Sequence, residues 1–546
     1  MQESPVQDSA TPPSTGNRPI APEDKVPVIQ KISYGMGSTL DNWGNWLYPG
    51  LVWLVFNLYL GVPPWLISLA LCLNRLVDAF ADPFIGWASD NTRTRWGRRR
   101  PFILFGSLAA GICLPGLVWV TPGWSSTHIF GTEVTNYFWY MAASSAIYIV
   151  IVSLYNVPYQ SLGSELTPDA RERTSVFTYK TAIQKIPEIA TFSAAAFCTS
   201  TVWSGASKDN VVERFGMLVS RTSGWFGELF RSLFSFDMKA AGALFTNPFG
   251  WATPMGEAGN VNILLGAQVY TIILGCIMVL VGIVVFIFVK ERYYGSVVER
   301  KQEKVEIAET VWKTLKCRPF RANLAMGFSF AMGTSMVGTL GYYATNFYVC
   351  RGNLSVGSLW NLGMGFAGTI LGVLGVTVFA FVTNKIGKRG GMAAVLISAI
   401  AVFLGTWWFY NPNMAWLQLF ASGLIAFISA GFWMLFGSIG ADIIDYDELE
   451  YGKRREGAFT SSGMWIMKVG QALGIGCSGV VLSATGFDQA LGGNQTESAI
   501  FNIRLFLAAI PIVGLTIALI CLSRYALSDE RIAEIRRQLE ARRGKV

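Results

Sequence analysis

A chain of 546 residues that is 52% hydrophobic and only 14% charged, with a mean hydropathy of +0.40, is too apolar for an ordinary soluble globule. Its net charge of +8 does not point to nucleic acid, because the Lys and Arg responsible gather between apolar runs, where they set membrane orientation. The eight cysteines stand singly, and the one histidine, His128, lies in a loop, so neither a metal cluster nor a histidine proton relay is offered.

Residues 1–31 are polar and proline-containing, with no apolar stretch that could act as a cleaved signal, and a disordered cytoplasmic tail is expected there. Twelve apolar runs follow, each long enough for the roughly 20 residues a helix needs to cross the hydrocarbon. They cover 32–60, 65–89, 101–122, 136–163, 174–203, 263–290, 319–349, 356–383, 391–410, 415–440, 459–485 and 499–525. With both termini cytoplasmic, 32 of the 43 Lys and Arg fall inside and 6 outside, 5 of those in one long external loop, 204–262. The predicted fold is all-α, a polytopic protein of the inner membrane. Six-helix bundles over 32–290 and 319–525 flank a central cytoplasmic loop, 291–318, and a tail helix occupies 526–546.

The first run mixes Asp41, Asn42 and Asn45 with Trp43 and Trp46. Amides beside tryptophans suit a sugar, which needs hydrogen bonds for its hydroxyls and an aromatic face for its C–H side; the same tryptophans also serve as interfacial anchors. In the second run, Arg75, Asp78 and Asp82 are spaced i, i+3, i+7 and share one helix face, with the like-charged carboxylates one turn apart. A charge near the bilayer centre costs roughly 2.5–3.5 kcal/mol on insertion scales, so such residues normally face a polar cavity on an ion or substrate path. A cation held between Asp78 and Asp82, with Arg75 as resident counter-charge, relieves both penalties. The competing reading, a fixed Arg75–Asp78 pair that only holds helices in register, leaves Asp82 unexplained.

After the second run, five arginines follow Asp90 within Arg93–Arg100; Arg95 and Arg98 can pair Asp90 or cap neighbouring helix ends as a cytoplasmic latch. The fourth run aligns Asn156 and Gln160 at i, i+4, with Ser153 one turn before Asn156. That row is either a polar wall or an amide ladder joining helices. The fifth contributes Lys180, and Lys185 with Glu188 as its partner. Within the external loop, Val211–Ser235 reads as an amphipathic helix, a lid or an inert insertion. Asn384–Gly390 echoes the arginine loop six runs later, and Asp442, Asp445 and Arg455 echo the Glu165–Arg173 segment, so two repeats are expected. Ser528 caps a charged tail helix with Ile532, Ile535 and Leu539 on one stripe.

Two sets of residues resemble the glycoside-pentoside-hexuronide:cation symporters of the major facilitator superfamily. They are Arg75…Asp78…Asp82-Pro83…Gly86…Asp90…Arg95-Trp96-Gly97…Arg100-Pro101 and Ala441-Asp442-Ile443-Ile444-Asp445-Tyr446…Glu448…Arg455-Glu456…Lys468. The resemblance runs from about Ile32 to Tyr525. It implies a sugar or sugar-acid carrier driven by a cation gradient, with Asp78 and Asp82 as cation ligands, metal ligands if the ion is sodium. It also implies an aromatic wall at Trp433 and a basic cavity residue at Lys468. Where melibiose-type relatives carry carboxylates this chain has Asn42 and Asn156, where they carry an aromatic it has Gln160, and their helix 5 arginine falls at Lys180 or Thr181. These departures argue against melibiose itself. With Ala81 in place of an asparagine, H+ is favoured over Na+, although Ser153 can lend an oxygen.

No nucleophile–His pair and no phosphate-cradling glycine loop appear, so a transporter is expected and an enzyme is not; no cofactor beyond the coupling cation is implied. The expected partners are a small sugar, the cation and the bilayer, with the protein a monomer; the sugar is preferably acidic because Lys468 and Lys180 reach the cavity, the alternative being that both lysines pair the coupling aspartates. A lysolipid carrier of the same fold and a non-transporting sugar sensor are the alternatives.

Overall fold

A computed structural model describes residues 25–92, 94–129, 132–167, 170–234, 261–291, 316–451, 456–525, 527 and 529–543. The first half contains α1 (Val28–Val52), α2 (Pro64–Asn91), α3 (Arg100–Cys113), α4 (Asn136–Glu165), α5 (Ala170–Cys198), α6 (Val211–Phe234) and α7 (Ile263–Phe288). The second contains α8 (Arg318–Ser335), α9 (Val337–Tyr343), α10 (Leu354–Phe409), α11 (Leu417–Tyr451), α12 (Glu456–Ala484), α13 (Glu497–Ser523) and α14 (Asp529–Arg543). Both α1 and α9 continue into π-helical turns, Trp53–Tyr59 and Ala344–Val349.

Among the described residues, nine helical stretches are long and apolar enough to cross a membrane. One of them, α10, has 56 residues and breaks at Gly387, whose φ of 78° is a conformation that glycine adopts without strain. It therefore contains two of the predicted runs. The helices α1 and α5 fall short on hydropathy because they carry polar residues that the interior uses. With these included, each of the twelve predicted runs overlaps a helix, consistent with twelve spans. The predicted third run ends early: α3 stops at Cys113 and Pro115 begins a 3-10 turn, since proline has no N–H to continue the ladder. A two-stranded hairpin, β1 (Ser126–Ile129) and β2 (Thr132–Thr135), precedes α4 and was not anticipated.

The packing repeats itself. In the first half α1 lies on α5, α3 on α7 and α2 on α4; in the second, α8 lies on α12, the later part of α10 on α13 and its earlier part on α11. Across the halves α2 meets α12, and α5 meets α10, so the two interface contacts are also related by the repeat. Small residues permit this closeness: a Cβ on Gly111 of α3 would lie 2.5 Å from the Gly275 carbonyl oxygen of α7.

One apolar core fills the first half and extends into the second through Leu340, Tyr343, Phe347 and Leu482. A separate core occupies the rest of the second half. The halves are thus sealed at the end bearing the α1 and α9 π-turns. There the Tyr343 hydroxyl donates to Asn57 Oδ1, Gln489 Nε2 donates to the Leu58 carbonyl at 2.9 Å, and the Ser68 and Ser478 hydroxyls lie 3.3 Å apart. At the opposite end α14 buries Ile532, Ile535 and Leu539 in the second core. Ser528, its expected cap, lies outside the described residues, as do residues 1–24 and 292–315. The helix α6 buries Leu218, donates from Arg221 to Thr201 at 3.0 Å and leaves Val212 82% exposed.

Candidate ion and substrate site

The face of α2 predicted to carry charge packs toward α1, α4 and α12. Asp78 is buried; its Oδ1 accepts from Ser153 Oγ at 3.0 Å, and its Oδ2 is 3.7 Å from Arg75 Nη1. The Lys468 ammonium, from α12 of the other half, enters between the two carboxylates. Its Nζ lies 2.8 Å from Asp78 Oδ2, an ion pair without hydrogen-bond alignment, and donates to Asp82 Oδ2 at 2.5 Å. Asp82 and Lys468 remain 30% and 28% exposed, against 3% for Asp78, so the site opens to solvent on the Asp82 side.

A second ion pair stands nearby. Asp41 Oδ2 of α1 is 3.9 Å from Lys180 Nζ of α5, and Gln160 of α4 reaches the same carboxylate. Asn45, one turn along α1, connects the pairs. Its Nδ2 donates to the Asp41 carbonyl at 2.9 Å and to Asp41 Oδ1 at 3.4 Å, while its Oδ1 and carbonyl accept from Arg75 at 3.2 and 2.6 Å. Arg75 also lies over the Trp46 ring, 5.2 Å from its centroid. In all, Arg75, Lys180 and Lys468 are matched by Asp41, Asp78 and Asp82.

Several residues lie elsewhere than expected. Asn42 is buried and its Oδ1 accepts from Thr191 of α5 at 2.8 Å, so it ties helices together; its neighbour Asp41 is the α1 group among the charges. Lys468, expected at the sugar, occupies the aspartates, and Lys180 pairs Asp41. Asn156 is buried with its Oδ1 accepting no hydrogen bond, whereas Gln160 is exposed. Trp433 is 41% exposed and meets Phe330, Phe432 and Phe436 edge-on, forming an aromatic wall on α11. Trp43 is buried and its indole N–H donates to the Pro187 carbonyl at 2.8 Å, a packing role. Sequence reasoning named Asn45 but not its partners, although its i, i+4 spacing from Asp41 was a signal. It also missed Trp465, whose ring meets Phe80 across the halves.

In the arginine segment where a latch is expected, a residue not singled out makes the contacts. The Glu291 carboxylate accepts from the backbone N–H groups of Arg98, Arg99 and Arg100 at 3.1, 2.8 and 3.1 Å, an anion at the start of α3. Gly97 (φ 106°) permits the approach, since a Cβ there would lie 2.7 Å from that carboxylate. The Arg95 guanidinium lies 5.1 Å from the centroid of the Trp96 ring. In the second half Lys388 Nζ is 2.6 Å from buried Asp442 Oδ2. Asp445 is half-buried on α11. The Asp90 side chain and Arg455 lie outside the described residues.

Two helical bundles related by repetition, with charges between them and one end sealed, define a secondary transporter of the major facilitator fold. Residues 35–529 match the family model described as MFS/sugar transport protein, and the chain belongs to that family. It is 26% identical to an uncharacterized symporter of Synechocystis sp. over 95% of this chain and 98% of that one. With a glucuronide carrier protein homolog of Escherichia coli it shares 23% identity over 94% and 95%. A bacterial homolog of the human lysosomal transporter Spinster, solved in an inward-facing and unoccupied conformation, superposes with a TM-score of 0.57. That likeness covers 95% of this chain and 99% of that one at 12% identity. The protein is therefore a multi-pass transporter and not an enzyme.

Proposed function

We propose that this transporter couples uptake of a sugar or sugar acid to a cation bound at Asp78 and Asp82, and that Lys468 and the cation compete for those carboxylates. The observation that carries this reading is the Lys468 ammonium lying within 2.8 Å of both, from the opposite half of the molecule. A proton or metal ion that neutralises the aspartates releases Lys468. The site, balanced while Lys468 is bound, then gains a positive charge that can hold an acidic or hydroxylated substrate by charge-assisted hydrogen bonds. Release of the tether between halves lets them move about the site, as alternating access requires.

The coupling ion is H+. Asp78, Asp82 and Ser153 supply few side-chain oxygens and Ala81 supplies none from its side chain. A proton needs only the carboxyl groups. The protein acts as a monomer in the inner membrane, with the sealed end outside and both termini cytoplasmic, which the Lys and Arg distribution supports. Relatives that include a glucuronide carrier homolog support a sugar or sugar acid as substrate.

Proteoliposome uptake tests this. Labelled neutral sugars, glucuronides and lysolipids are offered under a pH gradient or a sodium gradient. Accumulation of a sugar driven by pH alone is expected. Uptake that is absent without sodium at every pH rejects the proton, and uptake of lysolipid but no sugar rejects the substrate class.

A further inference from the structure

Two ion pairs of the first half, Lys180–Asp41 and Arg75–Asp78, are not independent. From Lys180 the contacts run to Asp41 (3.9 Å), from Asp41 Oδ1 to Asn45 Nδ2 (3.4 Å), from Asn45 Oδ1 to Arg75 Nη1 (3.2 Å) and from Arg75 to Asp78 Oδ2 (3.7 Å). Asn45 is the one member of this row that both donates and accepts through its side chain, so it joins a carboxylate on one side to a guanidinium on the other. Its own carbonyl holds Arg75 Nη2 at 2.6 Å, which keeps the arginine near α1 whatever the amide does. The Asp41 corner is reachable: Asp41 and Lys180 are 19% and 14% exposed, and Gln160 beside them is exposed. Asp78 is 3% exposed. A solute at the corner thus reaches the buried carboxylate through the Asn45 amide and Arg75.

We propose that Asn45 is the positioning residue that links substrate and cation. Solute hydroxyl or acid groups that engage Asp41 and Lys180 reorient the Asn45 amide. Arg75 then changes its hold on Asp78 and so changes cation affinity. By linkage the effect is reciprocal: the cation alters solute affinity by the same factor. The inference rests on the symport reading above, in that it requires the solute to bind beside Asp41 and the cation at Asp78.

The test measures binding of methyl β-D-glucuronide and of isoprimeverose to the purified full-length protein, at low and high pH and with and without sodium. In the wild type, affinity for at least one sugar is expected to change about tenfold with the cation, within the usual range of coupling between sites. In Asn45→Leu, of the same branched shape but without the amide, the change falls to within about twofold while the sugar still binds. Asn45→Gln, which keeps a donor and an acceptor, restores most of it. A residue that merely packs would lower affinity under every condition and leave the ratio intact, as would a variant that is partly misfolded. A wild-type ratio retained in Asn45→Leu overturns the inference and leaves the symport reading standing. A wild type that binds neither sugar, or binds with no cation dependence, overturns the symport reading and this inference with it.

Discussion

The two halves share one helix arrangement but not one chemistry. The first contributes Asp41, Arg75, Asp78, Asp82 and Lys180 to the charged cluster, with Ser153 and Gln160 beside them; among the described residues the second contributes one charge to it, Lys468. Three carboxylates against two cations leave the first half one positive charge short. That shortfall is met by Lys468 from across the interface, whose place an ion from solution takes in the function proposed above.

Removing the one charge that the second half sends to the aspartates has the largest expected effect. Lys468→Gln leaves Asp78 and Asp82 without their cross-half partner, so uphill accumulation of neutral and acidic sugars alike should fall to the level of equilibration, measured in proteoliposomes under an imposed ion gradient. Unimpaired accumulation of a neutral sugar would place the lysine on the substrate and dissolve the comparison. Asp442→Asn breaks the Lys388 pair of the second half's latch at a buried carboxylate. Exchange across the membrane should slow about tenfold, equivalent to about 1.4 kcal/mol, with solute affinity unchanged; an unaltered exchange rate removes this pair from the gating path. Glu291→Gln weakens three backbone hydrogen bonds at α3. The protein in detergent should lose about 1–3 kcal/mol of stability, as for bonds to a charged group, with transport retained below the lowered Tm. Trp433→Ala should cost the smallest amount, about 0.5–1.5 kcal/mol of sugar affinity; an intact affinity would confine that wall to packing.

The sequence carries most of the fold. Hydropathy, the Lys and Arg distribution and the echoed loops were enough for twelve spans in two repeats. The short polar segment Asn384–Gly390 between the eighth and ninth runs is where the chain breaks its helix, at Gly387. At the site, the i, i+3, i+7 spacing placed Arg75, Asp78 and Asp82 on one face because helical geometry is local. Partner choice across helices is not local. Whether Asn42 or Asp41 faced the interior depended on the rotation of α1, and whether Lys468 met a solute or an aspartate depended on how closely α12 approaches α2. Glu291 was illegible for a similar reason, as its partners are backbone N–H groups almost 200 residues away in sequence.

The most direct test of competition for the aspartates is uptake by Asp78→Asn and Asp82→Asn, each compared with wild type in proteoliposomes under an imposed pH gradient and, separately, in solute exchange without a gradient. Loss of a carboxylate removes the negative charge that the lysine and the ion share, so both variants should fail to concentrate solute while still exchanging it. A variant that concentrates solute as the wild type does would show that its carboxylate is structural and that the ion binds elsewhere.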